Sequence, residues 1–181
     1  YIQLYNHIRA PAIRFIGLTS PLGGFYCDGI KNCMGVDYLS TIVVPMDPTL
    51  IYSEFVQNLI GATNYWRDPQ QLELYQQFAY DLPILDNIRN FDPQRKINFM
   101  SVDMYILYGS PNDGAIQPWK SAFFGQHGES LEVLDYWKRI DFNDDNFGLK
   151  QMHEQNRIKT FETEFEHSQY HKPPAEQYMK N

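Results

Sequence analysis

Tyr105-Ile106-Leu107-Tyr108-Gly109-Ser110-Pro111-Asn112-Asp113-Gly114-Ala115-Ile116-Gln117-Pro118-Trp119 is the stretch that decides how this chain folds. A short aromatic and apolar run stops abruptly in Gly-Ser-Pro-Asn-Asp-Gly, which is turn chemistry. The run therefore predicts a buried strand, with Asp113 in the loop at its carboxyl end. Open α/β sheets bind their ligands there. The pattern recurs near the end, where Arg157-Ile158-Lys159-Thr160-Phe161 predicts a short strand and residues 162–167 the loop after it, ending on His167. An Asp on one strand-end loop and a His on the next are two members of a hydrolytic triad. In such a triad the carboxylate orients the imidazole, and the imidazole takes the nucleophile's proton. Asn-Asp-Gly is also ordinary turn chemistry, and one His among five is unremarkable. It is the pairing, on loops after successive strands, that points to catalysis.

Working outward, Arg14-Phe15-Ile16-Gly17-Leu18-Thr19 predicts another short strand, followed by the loop Ser20-Pro21-Leu22-Gly23-Gly24. Residues 1–9 read as the tail of a helix that Ala10-Pro11 ends. From Phe25 to about Asn98 the periodicity becomes helical. Asp47-Pro48 opens a helix over 49–60, with Ile51, Tyr52, Phe55, Val56, Leu59 and Ile60 on one face. A second helix is expected over 69–80 and a short turn over 84–88, with the aromatic cluster Asn64-Tyr65-Trp66-Arg67-Asp68-Pro69 between the first two. Beyond the Asp113 loop, Ser130 heads a predicted helix through Arg139, residues 149–155 form another, and Pro173 opens a last short one. The expectation is an α/β fold in one domain. Residues 1–24 give helix and strand of the core, 25–98 a mostly helical insertion capping the carboxyl edge of the sheet, and 99–181 the rest of the core with both site loops. Such a cap builds an apolar pocket, for which Trp66, Trp119, Phe123 and Phe124 are candidate walls; plain core packing gives the same pattern.

Composition sets outer limits. With 181 residues the chain can bury one good core. A net charge of −7 with scattered Lys and Arg argues against a phosphate-binding face, and so against nucleic acid. No apolar stretch approaches the roughly 20 residues of a transmembrane segment. The acidic run 141–146 lacks the alternating oxygen ligands and closing Glu of a calcium loop, and no metal or cofactor is expected. Cys27 and Cys33 flank a turn-like Asp-Gly-Ile-Lys-Asn, so either a small disulfide loop or two free thiols fits. His7, His127 and His153 fall on helical or surface stretches and are read as structural.

Gly109-Ser110-Pro111-Asn112-Asp113-Gly114-Ala115-Ile116-Gln117-Pro118-Trp119-Lys120-Ser121-Ala122-Phe123-Phe124-Gly125 resembles the acidic-residue loop of the lysosomal palmitoyl-protein thioesterases, and is nearer the family's second member than its first. Leu18-Thr19-Ser20-Pro21-Leu22-Gly23-Gly24, Asn64-Tyr65-Trp66-Arg67-Asp68-Pro69 and Phe147-Gly148-Leu149-Lys150 agree with the same family in the same order. The resemblance implies an α/β-hydrolase fold, present as its carboxyl-terminal half, and hydrolysis of long-chain fatty acyl thioesters without a cofactor. It implies Asp113 as triad acid and His167 as triad base, with His171 matching a second histidine of the family. It also implies the lysosome, or secretion. In α/β-hydrolases the triad runs Ser, then acid, then His, with the Ser on a G-x-S-x-G elbow. This sequence contains no such elbow, so the Ser is expected in an upstream half of the same protein, and the chain by itself is expected to be inactive. The sequence departs from the family in its acidic Glu164-Phe165-Glu166 and its short final helix. Two rival readings are another α/β-hydrolase lipid esterase, and a non-catalytic module that binds lipid or protein through its aromatic insertion.

Overall fold

A computed structural model of the protein describes residues 2–6, 12–27 and 47–172. His7, Ala10-Pro11, Cys33 and the helix expected from Pro173 lie outside the described residues, and the pairing of Cys27 with Cys33 lies outside them too.

Five strands are present in this part: β1 (Arg14–Leu18), β2 (Met104–Gly109), the two-residue β3 (Gln126–His127) and β4 (Val133–Leu134), and β5 (Ile158–Glu162). β1, β2 and β5 form one parallel sheet with β2 in the middle, as the two apolar strand signals around Ile16 and Leu107 predict. Register sorts the side chains into two faces. Phe15, Tyr105 and Ile158 lie side by side, as do Gly17, Leu107 and Thr160, all on one face. That face is packed: Tyr105, Leu107 and Ile158 join Phe99, Phe123, Phe124, Phe147, Leu149 and Met152 in the main hydrophobic cluster. The other face carries Ile16, Leu18 and Phe161, which are 61%, 37% and 42% exposed.

Seven α-helices run through the described residues: α1 (Ile2–Tyr5), α2 (Pro48–Ile51), α3 (Glu54–Leu59), α4 (Leu72–Phe78), α5 (Leu82–Leu85), α6 (Pro93–Met100) and α7 (Leu149–Glu154). The expected helix over 49–60 is two, because Ser53 breaks it and caps the second piece, its Oγ accepting from the Val56 amide. α2 to α5 enclose a second cluster of Phe25, Ile51, Tyr52, Trp66, Tyr75, Ala79 and Leu82, to which buried Cys27 also belongs. α6 is legible after the fact from Asp92, whose side chain accepts from the Gln94 amide, and from Pro93 at the first helical position. It crosses the boundary expected at 98–99, burying Phe99 in the main cluster while Asn98 Nδ2 donates to the Gln3 carbonyl of α1 at 2.8 Å.

The helix expected from Ser130 to Arg139 is absent. In its place a hairpin pairs β3 with β4, turning through Leu131 at φ 63°, and a 3-10 turn follows at Tyr136–Lys138. Of the apolar positions that suggested a helix face, Trp137 and Ile140 are exposed and Leu131 and Leu134 only partly buried. Hairpin pairing satisfied the backbone locally, and the 3.6-residue spacing was coincidental.

Candidate active site

β2 ends against a 3-10 turn, Trp119–Phe123, that packs directly on the strand's last residue. A Cβ at Gly109 would stand 3.0 Å from Ala122 Cβ and from the Phe123 ring, so only glycine permits this approach without displacing them. Ser110 then starts the turn, its Oγ accepting from the Asn112 amide at 3.0 Å and its carbonyl from the Asp113 amide at 3.0 Å. Asp113 Oδ1 accepts from the amides of Ala115 and Ile116 at 2.9 and 3.0 Å, the local hydrogen bonding for which Asp is chosen in turns. Gln117 Nε2 donates to the Asp113 carbonyl at 3.2 Å. The loop thus uses one carboxylate oxygen and the backbone of Asp113 for itself.

The second oxygen meets the loop after β5. The Thr163 amide donates to the Gly109 carbonyl at 2.9 Å, extending the ladder past β5, and Asn112 Nδ2 donates to the Glu164 carbonyl at 3.0 Å. Glu166 caps the 3-10 turn His167–Gln169: its carboxylate accepts from that turn's backbone, and its amide donates to Gln169 Oε1 at 2.9 Å. The acidic character of Glu166 therefore serves the turn. His167, first residue of that turn, has Nδ1 3.0 Å from Asp113 Oδ2. The carboxylate is almost wholly buried, 2% exposed, while the imidazole is 44% exposed. An Nδ1 proton donated to a carboxylate fixes the tautomer in which Nε2 is an acceptor. The arrangement can take a proton from a neighbouring hydroxyl or water.

The other described histidines lie elsewhere. His171 is exposed. His153 Nδ1 shares a hydrogen bond of 2.7 Å with the Tyr136 hydroxyl, and burial raises the Tyr136 pKa to about 12. His127 Nδ1 lies 2.9 Å from the Leu131 carbonyl in the hairpin.

The four candidate pocket walls do not gather in one place. Phe124 lines an apolar cavity of about 670 Å³ together with Phe15, Leu22, Tyr65, Leu82, Phe99, Tyr105 and Phe147. Trp119 and Phe123 instead line a smaller cavity of about 310 Å³, with Tyr136, Trp137, Thr160 and Glu162. Trp66 lines neither. It is 2% exposed in the second cluster, with Phe25 and Tyr26 rings set edge-on at 5.7 and 5.2 Å, because its strand-like bridge to Phe25 turns it inward. Asp113 and His167 line neither cavity.

Sequence reasoning misses a buried charge cluster. Asp86 Oδ2 accepts from Arg67 Nη1 at 2.9 Å and from Arg139 Nη2 at 2.7 Å. Arg139 also forks onto Asp141, Nε to Oδ1 at 2.8 Å and Nη2 to Oδ2 at 2.6 Å, and donates to the Phe124 carbonyl at 3.3 Å. Burial opposes the charge on Asp141, but the Arg139 guanidinium and its hydrogen bonds outweigh it and hold the pKa down to about 2. Charges far apart in sequence look like surface; the single cue is Arg67 standing in an otherwise aromatic stretch.

No helix among the described residues is long and apolar enough to cross a membrane. The family described as palmitoyl protein thioesterase matches residues 1–167. The lysosomal thioesterase PPT2 of Homo sapiens is 34% identical over 147 residues, which is 75% of this chain and 44% of that protein. The lysosomal thioesterase PPT2-B of Xenopus laevis is 31% identical over 142 residues, covering 76% of this chain and 47% of that protein. The palmitoyl-protein thioesterase 3 of Dictyostelium discoideum is 25% identical over 185 residues, 99% of this chain and 59% of that protein. The chain spans about half the length of the curated relatives it matches.

Proposed function

The chain belongs to the palmitoyl protein thioesterase family, and from that premise we propose that it supplies the acid and base, Asp113 and His167, of a long-chain fatty acyl thioester hydrolase whose serine lies upstream of Tyr1. The observation that carries this is the 3.0 Å bond from His167 Nδ1 to Asp113 Oδ2, made where loops from two adjacent parallel strands meet. Asp113 holds the imidazole with Nε2 as acceptor, and His167 takes the serine proton as the serine oxygen adds to the thioester carbonyl. Collapse of the tetrahedral intermediate breaks the carbon–sulfur bond, and His167 returns the proton to the departing sulfur. Water then attacks the acyl-enzyme, again losing its proton to His167, and the fatty acid leaves with the serine restored. This chemistry requires no cofactor.

The apolar cavity beside Phe124 supports the acyl chain as the bound group, with residues 25–98 as its cap. Trp119 and Phe123 stay in the proposal as walls of the smaller cavity. An outer edge of β1 that pairs with no strand among the described residues, and the exposed Ile16, Leu18 and Phe161, support an upstream segment that pairs with β1 and covers that face. The lysosomal naming of the relatives supports an acidic lysosomal setting.

Palmitoyl-CoA hydrolysis by the protein with its upstream segment is the test. His167→Ala is expected to lower kcat roughly 10⁴-fold, and the chain Tyr1–Asn181 alone to turn over nothing. Turnover by that chain alone would overturn the placing of the serine. An unchanged His167→Ala rate would overturn the base. Equal rates on thioester and matching oxyester would make the protein a general lipid esterase, and no hydrolysis of either would make it a binding module.

A further inference from the structure

We propose that Thr163 and Tyr170 form a hydroxyl clasp that sets the position of His167; the inference rests on the reading of Asp113 and His167 given above. Among the described residues His167 makes a single side-chain hydrogen bond, to Asp113, and its ring is 44% exposed. One contact to a half-exposed ring leaves the direction of Nε2 to the loop that carries it. That loop is closed by two residues that bracket the histidine. Thr163 Oγ1 lies 2.5 Å from the Tyr170 hydroxyl, and both side chains are buried.

Hydrogen-bond accounting assigns the direction. The Gly109 carbonyl can only accept, and Thr163 Oγ1 reaches it at 3.4 Å. With Thr163 donating to Gly109, Thr163 Oγ1 accepts from the Tyr170 hydroxyl. Gly109 is the last residue of β2, where the Asp113 loop departs. The clasp thus references the base loop to the same point from which the acid loop starts. The Tyr170 ring is itself held, edge-on to Phe165 with centroids 5.7 Å apart. Neither hydroxyl touches Asp113 or His167, so these are positioning residues. A displacement of the order of 1 Å between reacting groups is enough to cost about 100-fold in rate, and a loosened loop permits part of that.

Tyr170→Phe removes only the hydroxyl, Thr163→Val keeps the shape of threonine, and Thr163→Ser keeps its hydroxyl. In the protein with its upstream segment, the first two are each expected to lower kcat roughly tenfold with KM within about twofold. The double variant is expected to be no slower than Thr163→Val alone, since Tyr170→Phe removes a bond that Thr163→Val already removes. Thr163→Ser should recover most of kcat. Independently of turnover, the low-field proton resonance of His167 Nδ1 should broaden in Tyr170→Phe and Thr163→Val and sharpen again in Thr163→Ser. Unchanged kcat and an unchanged resonance in Tyr170→Phe overturn the clasp. So does a loss of thermal stability that leaves both unmoved. If His167→Ala proves fully active the reading of the site falls, and the resonance alone then decides whether the clasp orders this loop.

Discussion

Two buried polar assemblies divide this molecule, and they are built on opposite plans. The cluster of Arg67, Asp86, Arg139 and Asp141 is closed: its side chains are 5%, 5%, 0% and 9% exposed, and its two positive charges balance its two negative ones. It ties the helical segment α2 to α5 to the loop before α7. The Asp113–His167 pair is open on one side, a buried carboxylate against a half-exposed imidazole. A closed, neutral cluster fixes geometry, whereas an open pair can exchange a proton with whatever approaches its exposed member. Under the proposed mechanism the difference is one of use: the first holds its geometry, and the second is arranged to pass a proton.

The sharpest way to break that contrast is to remove the charge at the open pair while leaving its scaffold. Asp113→Asn retains an Oδ1 that can accept from the Ala115 and Ile116 amides, so the loop should stay folded. Under the proposed mechanism its amide cannot hold the imidazole in the working tautomer. Hydrolysis of an acyl thioester by the protein with its upstream segment is expected to fall roughly 10³- to 10⁴-fold, with thermal unfolding within a few degrees of wild type. An equal fall in folding stability would mean that Asp113 is only a turn residue.

At the closed cluster the same kind of substitution should act on stability instead. Asp86→Asn leaves Arg67 without its carboxylate partner and Arg139 with Asp141 as its one remaining carboxylate, and losing one partner of a buried pair costs about 3 to 5 kcal/mol. Urea unfolding measures it. A cost under about 1 kcal/mol would show that water reaches the cluster and that it behaves as a surface pair.

The strands around Ile16 and Leu107 and the site loops were legible because a short apolar run ending in turn residues is a local signal, and register follows from burying one face. The pair Asp113–His167 was legible because topology, strand then loop twice over, brings distant residues to one end of the sheet. What failed was nonlocal or ambiguous. Ser130 to Arg139 offered helical spacing by chance, and the hairpin that formed depends on contacts the sequence does not announce. Ser53 inside the expected helix over 49–60 was a cap in plain view, outvoted by the apolar face around it. Trp66 could equally have lined a pocket or filled a core, and only its packing against Phe25 and Tyr26 decides. The Arg67–Asp86–Arg139–Asp141 cluster had no sequence signal beyond Arg67 in its aromatic stretch, since no spacing distinguishes charges that will meet in the interior.

The subtlest consequence of the contrast is in pH. The Asp141 carboxyl falls from an ordinary 3.8 to about 2 in the folded protein. A depressed folded pKa gives stability that is present in full above the unfolded value and lost as pH falls through the folded one. The shift corresponds to about 2 kcal/mol for a side chain this buried. Asp141→Asn should therefore cost about that much at pH 7 and the same at pH 5, since both lie above 3.8. The difference between variant and wild type should shrink only below about pH 4 and be nearly gone by about pH 2. Urea unfolding at pH 7, 5 and 3 reads this directly. A penalty that already halves between pH 7 and pH 5 would mean that the cluster titrates within that range, and that it is a second switch and no fixed strut.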